Sequence, residues 1–231
     1  MNFLHAAFDP LFLILVLPAM GFAMWAQHQV TSRFKKYSQQ PTAKRITGAQ
    51  AAIAVLRDAG ITNVVVERVP GTLTDHFDPR TNVIRLSDSV HDNTSVAAVG
   101  VAAHEAGHAI QYAHSYAPMK LRAAIIPMTN IGSKLAMPLV LIGMIMSLPG
   151  LINLGIIAFG AVVLFQLVTL PVEFNASRRA INILDKTALL SREEVPDAKK
   201  VLSAAAMTYV GALAVSLAQL IRLIALSRGR R

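Results

Sequence analysis

LAMPLVLIGMIMSLPGLINLGIIAFGAVVLFQLVTLPV, residues 135–172, is a run of 38 residues without a Lys, Arg, Asp or Glu. One straight helix crosses a bilayer with about 20 residues, so the run is too long for a single span. Near its middle stands SLPG at 147–150, a Pro-Gly helix breaker. The stretch therefore reads as a membrane hairpin, with one arm over 127–147 and the other over 151–170. Asn130 and Lys134 lie in the first arm, and Lys134 must snorkel or face protein. Two spans return the chain to the side it left.

Upstream lies a shorter apolar run, Pro10–Ala26, closed by Trp25. No Lys or Arg precedes it and no small-x-small cleavage site follows it, so it reads as a retained anchor rather than a signal peptide. Ten Lys or Arg residues then fall within 27–120, several in SRFKKYSQQPTAKR, which by the positive-inside rule makes this part cytoplasmic. Residues 172–200 carry six basic residues, in agreement with a cytoplasmic return after the hairpin. The last apolar stretch, 201–226, carries Ser203, Thr208, Ser216, Gln219 and Arg222 and is basic on both flanks. It reads as a fourth span, although that puts Arg228, Arg230 and Arg231 outside, or else as an interfacial helix.

Composition agrees. Of 231 residues 54% are hydrophobic and only 15% charged, against about 25% charged in soluble domains. An ordinary soluble globule and a disordered chain are excluded. With no cysteine there is no disulfide framework, thiol nucleophile or thiolate metal site, so any metal must be held by His, Asp or Glu. The net charge of +9 sits mostly beside apolar segments, so anionic lipid and topology account for it without nucleic acid. The organisation expected is an anchor (1–26), a cytoplasmic catalytic part (27–121), a membrane hairpin (122–171), a cytoplasmic helix (172–200) and a C-terminal membrane or membrane-associated helix with a basic tail (201–231).

Within the polar part, TGAQAAIAVLRDA (47–59) has an N-cap at Thr47 and stops at Gly60, a helix of about three turns. NVVVERV (63–69), TLTDHF (72–77) and VIRLS (83–87) follow as three short strands joined by turn residues, a β-meander. HDNTS (91–95) offers caps for a helix over 96–113, VAAVGVAAHEAGHAIQYA. The fold class expected is a mainly α multi-pass membrane protein with a small α+β, zincin-like catalytic part.

That helix carries the chemistry. His104, Glu105 and His108 form HExxH, and residues four apart share a helix face, so two imidazoles can meet one Zn2+. Glu105 is placed to take a proton from an attacking water. The flanks are small and apolar, and unpartnered polar groups would be costly to bury there. Gly107 sits mid-helix, where it loses about 1 kcal/mol against Ala, which points to a close approach by another segment.

Catalytic zinc sites take three protein ligands. His114 has the spacing of HExxHxxGxxH, but the position that needs Gly is Gln111, and a continuing helix would turn His114 away from the zinc face. Glu173, in LPVEFNASRRA, follows the hairpin, and two spans return it to the side of His104. Pro171 is expected to close the hairpin, so that the next helix starts with this carboxylate.

GTLTDHFDPRTNVIRLS, GVAAHEAGHAIQYA, LPVEFNASRRAINIL and AAAMTYVGA together resemble the bacterial YugP-like neutral zinc metallopeptidases, over nearly the whole chain. These are multi-pass membrane proteins similar in plan to the HtpX and CAAX-prenyl-protease metallopeptidases. The resemblance implies a zinc-dependent endopeptidase of the bacterial inner membrane, acting on protein or peptide at its cytoplasmic face. It also implies Zn2+ on His104, His108 and Glu173 with Glu105 as general base. In the latter two groups an Asp follows the Glu ligand by four residues and orients an imidazole. Here that residue is Ser177, and Asn175 or Asp185 are the substitutes.

Lesser candidates each have a plainer reading. Asp75, His76 and Asp78 in DHFDPR could shape the cleft or the oxyanion site, but a solvated hairpin turn explains them. Tyr209 could donate a hydrogen bond to a tetrahedral intermediate, or simply pack. Arg178 and Arg179 could meet a substrate carboxylate, or serve as juxtamembrane charge. The strand VIRLS is expected to offer an edge to an extended peptide, so that Arg85→Pro would impair turnover. A non-catalytic zinc scaffold or holdase is the alternative to an enzyme. The sequence is silent on oligomeric state.

Overall fold

The computed structural model describes residues 9–228. They divide into two compact units, a helical one (9–26, 121–170 and 208–228) and a mixed one (27–120 and 171–207). Among the described residues four helices are long and apolar enough to cross a membrane: Phe12–Tyr37, Ala117–Ile145, Pro149–Lys186 and Val195–Arg228. The first opens with a π-helical turn, Phe12–Val16, and continues as α1 (Leu17–Tyr37). The others are α4 (Ala117–Ile145), α5 (Pro149–Lys186) and α6 (Val195–Arg228). The last apolar stretch thus has the length and composition of a fourth span.

In the helical unit the hairpin breaks where SLPG requires. Helix α4 ends at Ile145, Ser147 takes a left-handed conformation with φ of 53°, and α5 begins on Pro149, whose missing N–H costs nothing at a first helical position. The arms meet backbone to backbone. A Cβ on Gly155 would lie 2.8 Å from the Ala136 carbonyl oxygen, the close approach that small residues permit between apolar helices. Asp9 ties the unit together at one end. Its Oδ1 accepts from the Leu11 and Phe12 N–H groups at the start of the first helix, and its Oδ2 accepts from Arg222 Nε at 2.7 Å. Arg222, awkward in an apolar segment, is thereby paired, and its guanidinium also covers the Phe12 ring.

Pro171 does not close the hairpin. It lies inside α5, as Pro127 and Pro138 lie inside α4. A proline removes one i→i−4 hydrogen bond, and a helix of 38 residues held by packing tolerates that loss. Glu173 therefore sits mid-helix, and no helix N-terminus backs its charge.

In the mixed unit, α2 (Gly48–Asp58) begins with a capping box in which Thr47 and Gln50 satisfy each other's backbone N–H. Three strands follow, β1 (Val65–Val69), β2 (His76–Asp78) and β3 (Val83–Ser87), and then α3 (Val96–Ala113), capped by Ser95. The sheet is not a meander. Its order is β1-β3-β2, with β1 parallel to β3 in the register Val65↔Val83 and β2 antiparallel to β3 in the register His76↔Arg85. Parallel neighbours need a crossover of about a dozen residues, and residues 70–82 supply it while placing β2 on the far side of β3. Strand β3 is thus central, and the edge expected of VIRLS does not exist. Ile84 and Leu86 face a core built with Ala51, Ala52 and Val55 of α2 and the Ala-rich face of α3.

Candidate metal centre

Helix α3 is almost entirely buried, and its small side chains let other segments approach its backbone closely. Gly107 is where this matters most. A Cβ there would lie 2.6 Å from the Ala176 carbonyl oxygen, so α5 crosses α3 at backbone contact. The crossing carries Glu173 over the two histidines.

His104 and His108 present their rings edge to face, with centroids 4.7 Å apart. Glu173 Oε2 lies 3.3 Å from His104 Nε2 and 3.4 Å from His108 Nε2. Zn2+ held tetrahedrally at about 2.0–2.1 Å from each donor separates neighbouring donors by about 3.3–3.4 Å. The two distances from Glu173 Oε2 match that spacing, all three donor atoms lie within 4.8 Å of one another, and among the described residues they form the only His, Asp and Glu group gathered closely enough to hold a metal. Both the donor chemistry and the spacing fit zinc.

The far nitrogens of the rings are also engaged. His104 Nδ1 is 3.1 Å from Ser177 Oγ, and His108 Nδ1 is 3.0 Å from Gln111 Oε1. With Nδ1–H donating to the amide oxygen, His108 keeps its Nε2 lone pair for the metal. Fully buried Gln111 then donates from Nε2 to the Val172 carbonyl at 2.7 Å and to Asn175 Oδ1 at 3.1 Å. Arg179 Nε donates to the same Asn175 oxygen at 2.8 Å. This chain of hydrogen bonds fixes α3 against α5 around the three candidate donors.

Burial alone pushes the His108 imidazole pKa down. The hydrogen bond to Glu173 and the charges of Glu105 and Glu173 outweigh it and hold the pKa above its ordinary value. A cation in this cluster is favoured, and a divalent metal supplies more of that charge than a proton.

Glu105 is buried next to the first histidine. His114 is not gathered here. It is the exposed C-cap of α3, where helical rotation carries it off the metal face. His76 is exposed, its Nδ1 2.9 Å from the Thr74 carbonyl oxygen. Asp78 is a turn residue, accepting from the Arg80 N–H, Thr81 Oγ1 and Arg85 Nη1. Asp75 differs, for it turns inward to accept from the N–H and Oγ of Ser87. Burial pushes its carboxyl pKa up, Ser87 pulls against that, and the charge of Glu105 adds to the rise. Tyr209 belongs to the helical unit and is partly exposed. Asp185 lies exposed farther along α5, while Asn175 reaches the site through Gln111. Ser177, read in the sequence as a gap where an Asp should stand, itself contacts a ligand imidazole.

The sequence pattern leaves Gln111 without a role, since it stands where HExxHxxGxxH needs a glycine. Its signal was present: a polar residue three positions after His108 on a helix with no other use for it.

Four apolar helices and a gathered His, His and Glu group define a membrane protein with a candidate metal site among the described residues. The chain belongs to the family described as "Putative neutral zinc metallopeptidase", whose model matches residues 12–228. Among curated proteins it is 47% identical, over 214 residues, to the "Putative membrane protease YugP" of Bacillus subtilis (strain 168), covering 93% of this chain and 95% of that protein. No solved structure matches it.

Proposed function

We propose that the chain is an integral membrane zinc-dependent endopeptidase, with zinc held by His104, His108 and Glu173 and with Glu105 as general base. The observation that carries this reading is the gathering of the three donors, with Glu173 at zinc-compatible distances from both imidazoles and buried Glu105 adjoining the first of them. Zinc bound there supplies Lewis-acid polarisation of a peptide carbonyl and makes water a nucleophile near neutral pH. Glu105 takes a proton from the attacking water on its carboxylate and delivers it to the leaving amide nitrogen. Gln111 holds the His108 ring in the tautomer that leaves Nε2 a lone pair.

The substrate is an extended segment of protein or peptide. Strand β2 pairs with β3 on one side only, and its Phe77 ring lies 5.9 Å from Tyr112 of α3. A substrate strand adds to the free side of β2 by main-chain hydrogen bonds, beside the metal helix. The basic residues of 27–120 and 171–200 support a cytoplasmic site on a bilayer-embedded protein, with no role for nucleic acid.

Glu105→Gln in the full chain is the test. It should retain zinc and lose cleavage of a denatured protein by about 10²–10⁴-fold, the usual scale of general-base loss. Undiminished cleavage overturns the mechanism. Zinc binding without any cleavage by the unaltered chain points instead to a scaffold or holdase.

A further inference from the structure

Beside the candidate metal centre, in the mixed unit, α5 and α6 line a half-open cavity of about 560 Å³, within the range of small-ligand sites. Its α5 wall is Phe174, Ser177, Arg178 and Ile181, one stripe at helical spacing, and the facing α6 wall includes Lys199 and Leu202. The cavity adjoins the candidate site through Ser177, which lines it and whose hydroxyl is 3.1 Å from His104 Nδ1.

Its charge is one-sided. Arg178 and Lys199 are both exposed, and neither makes a hydrogen bond or ion pair within the described residues. Their neighbours in sequence are committed elsewhere: Arg179 donates to Asn175, and Lys200 pairs with Asp197 at 2.8 Å. Two unneutralised cations over an apolar floor, with no carboxylate lining the cavity, complement an anion attached to an apolar body.

We propose that this cavity is a substrate subsite selecting an acidic side chain near the scissile bond, with Arg178 and Lys199 as its specificity-determining residues. The proposal rests on the peptidase reading, because the cavity adjoins His104 through Ser177 and an occupant there extends from a peptide held at the metal. The apolar wall takes the methylene stem of a Glu or the neighbouring residue, and the cations take the carboxylate.

The test reads binding in the Glu105→Gln full chain, in neutral detergent with zinc bound. Fluorescent peptides differ only by Glu or Gln at successive positions, and Kd is measured by anisotropy. The Glu peptide at one position should bind about tenfold more tightly than its Gln twin. Arg178→Gln with Lys199→Gln should reduce that difference to about twofold or less, with zinc content unchanged, while Lys35→Gln leaves it intact. Equal binding of both twins at every position overturns the proposal, as does a preference that survives the double substitution. So does a double variant that loses only its affinity for phosphatidylglycerol vesicles, which assigns the cations to lipid. Failure of the unaltered chain to cleave any protein, with the charge preference still abolished by the double substitution, overturns the peptidase reading and leaves the anionic site standing.

Discussion

Gly107→Ala measures how tightly the metal site depends on the crossing of α3 and α5. The added methyl would lie 2.6 Å from the Ala176 carbonyl oxygen and 3.2 Å from its Cα, both backbone atoms that cannot swing aside. Restoring ordinary contact requires opening the crossing by about 0.8 Å, since unstrained carbon–oxygen approaches begin near 3.4 Å. Glu173 rides on the segment displaced. Its Oε2 would move from 3.3 and 3.4 Å toward about 4 Å from the imidazole nitrogens, too far for all three to share a zinc ion. Two energies compete: alanine gains about 1 kcal/mol of helix propensity, and overpacking costs about 1–3 kcal/mol. The metal-free protein should be unchanged or destabilised by up to about 2 kcal/mol. Zinc affinity should fall by about 10–100-fold, as when ligand-orienting groups are removed. Gly100→Ala is the control on the same helix, because its methyl would meet Ala198 Cβ at 3.5 Å, an ordinary contact. It should gain about 1 kcal/mol and leave zinc affinity alone. Chelator competition gives the affinity, and thermal unfolding in detergent gives the stability. A Gly107→Ala protein that binds zinc as tightly as the unaltered chain refutes the reasoning.

Gln111→Leu keeps the bulk but removes the His108 Nδ1 partner and the bond to the Val172 carbonyl; it should lower zinc affinity by about 10–100-fold in the same competition assay. Arg222→Leu removes the ion-pair partner of the partly buried Asp9 carboxylate and should cost up to about 3 kcal/mol in detergent unfolding, more than Arg222→Leu combined with Asp9→Asn. The chain has no cysteine, so Thr72→Cys gives a single thiol in an exposed turn of the mixed unit. A membrane-impermeant maleimide should label it only after the cells are permeabilised, and labelling of intact cells would place that unit outside.

The sequence announced its membrane helices through absence of charge, a signal that needs no tertiary context. The hairpin break at SLPG was legible because proline and glycine act locally. Pro171 was misread by the same logic, since whether a proline ends a helix or sits within it depends on what packs around it. Sheet order was hidden for a similar reason. Turn residues announce that strands change direction but do not say which strand ends between the others, and β3 went between. At the site, HExxH fixed two donors through helical periodicity alone. Glu173 followed from counting spans, since an even number was needed to bring it back. Gln111 stands three residues from His108 on the same helix, a contact that helical spacing alone could have suggested. Ser177 and Asn175 join the site only through the crossing of α3 and α5, and the one trace of that crossing in the sequence was a glycine where alanine would be better.

Zinc stoichiometry tests the centre most directly. Metal content of the purified full chain should be one zinc per chain, preserved in His114→Ala and lost in Glu173→Ala. Zinc retained by Glu173→Ala and lost from His114→Ala would contradict the assignment of the site.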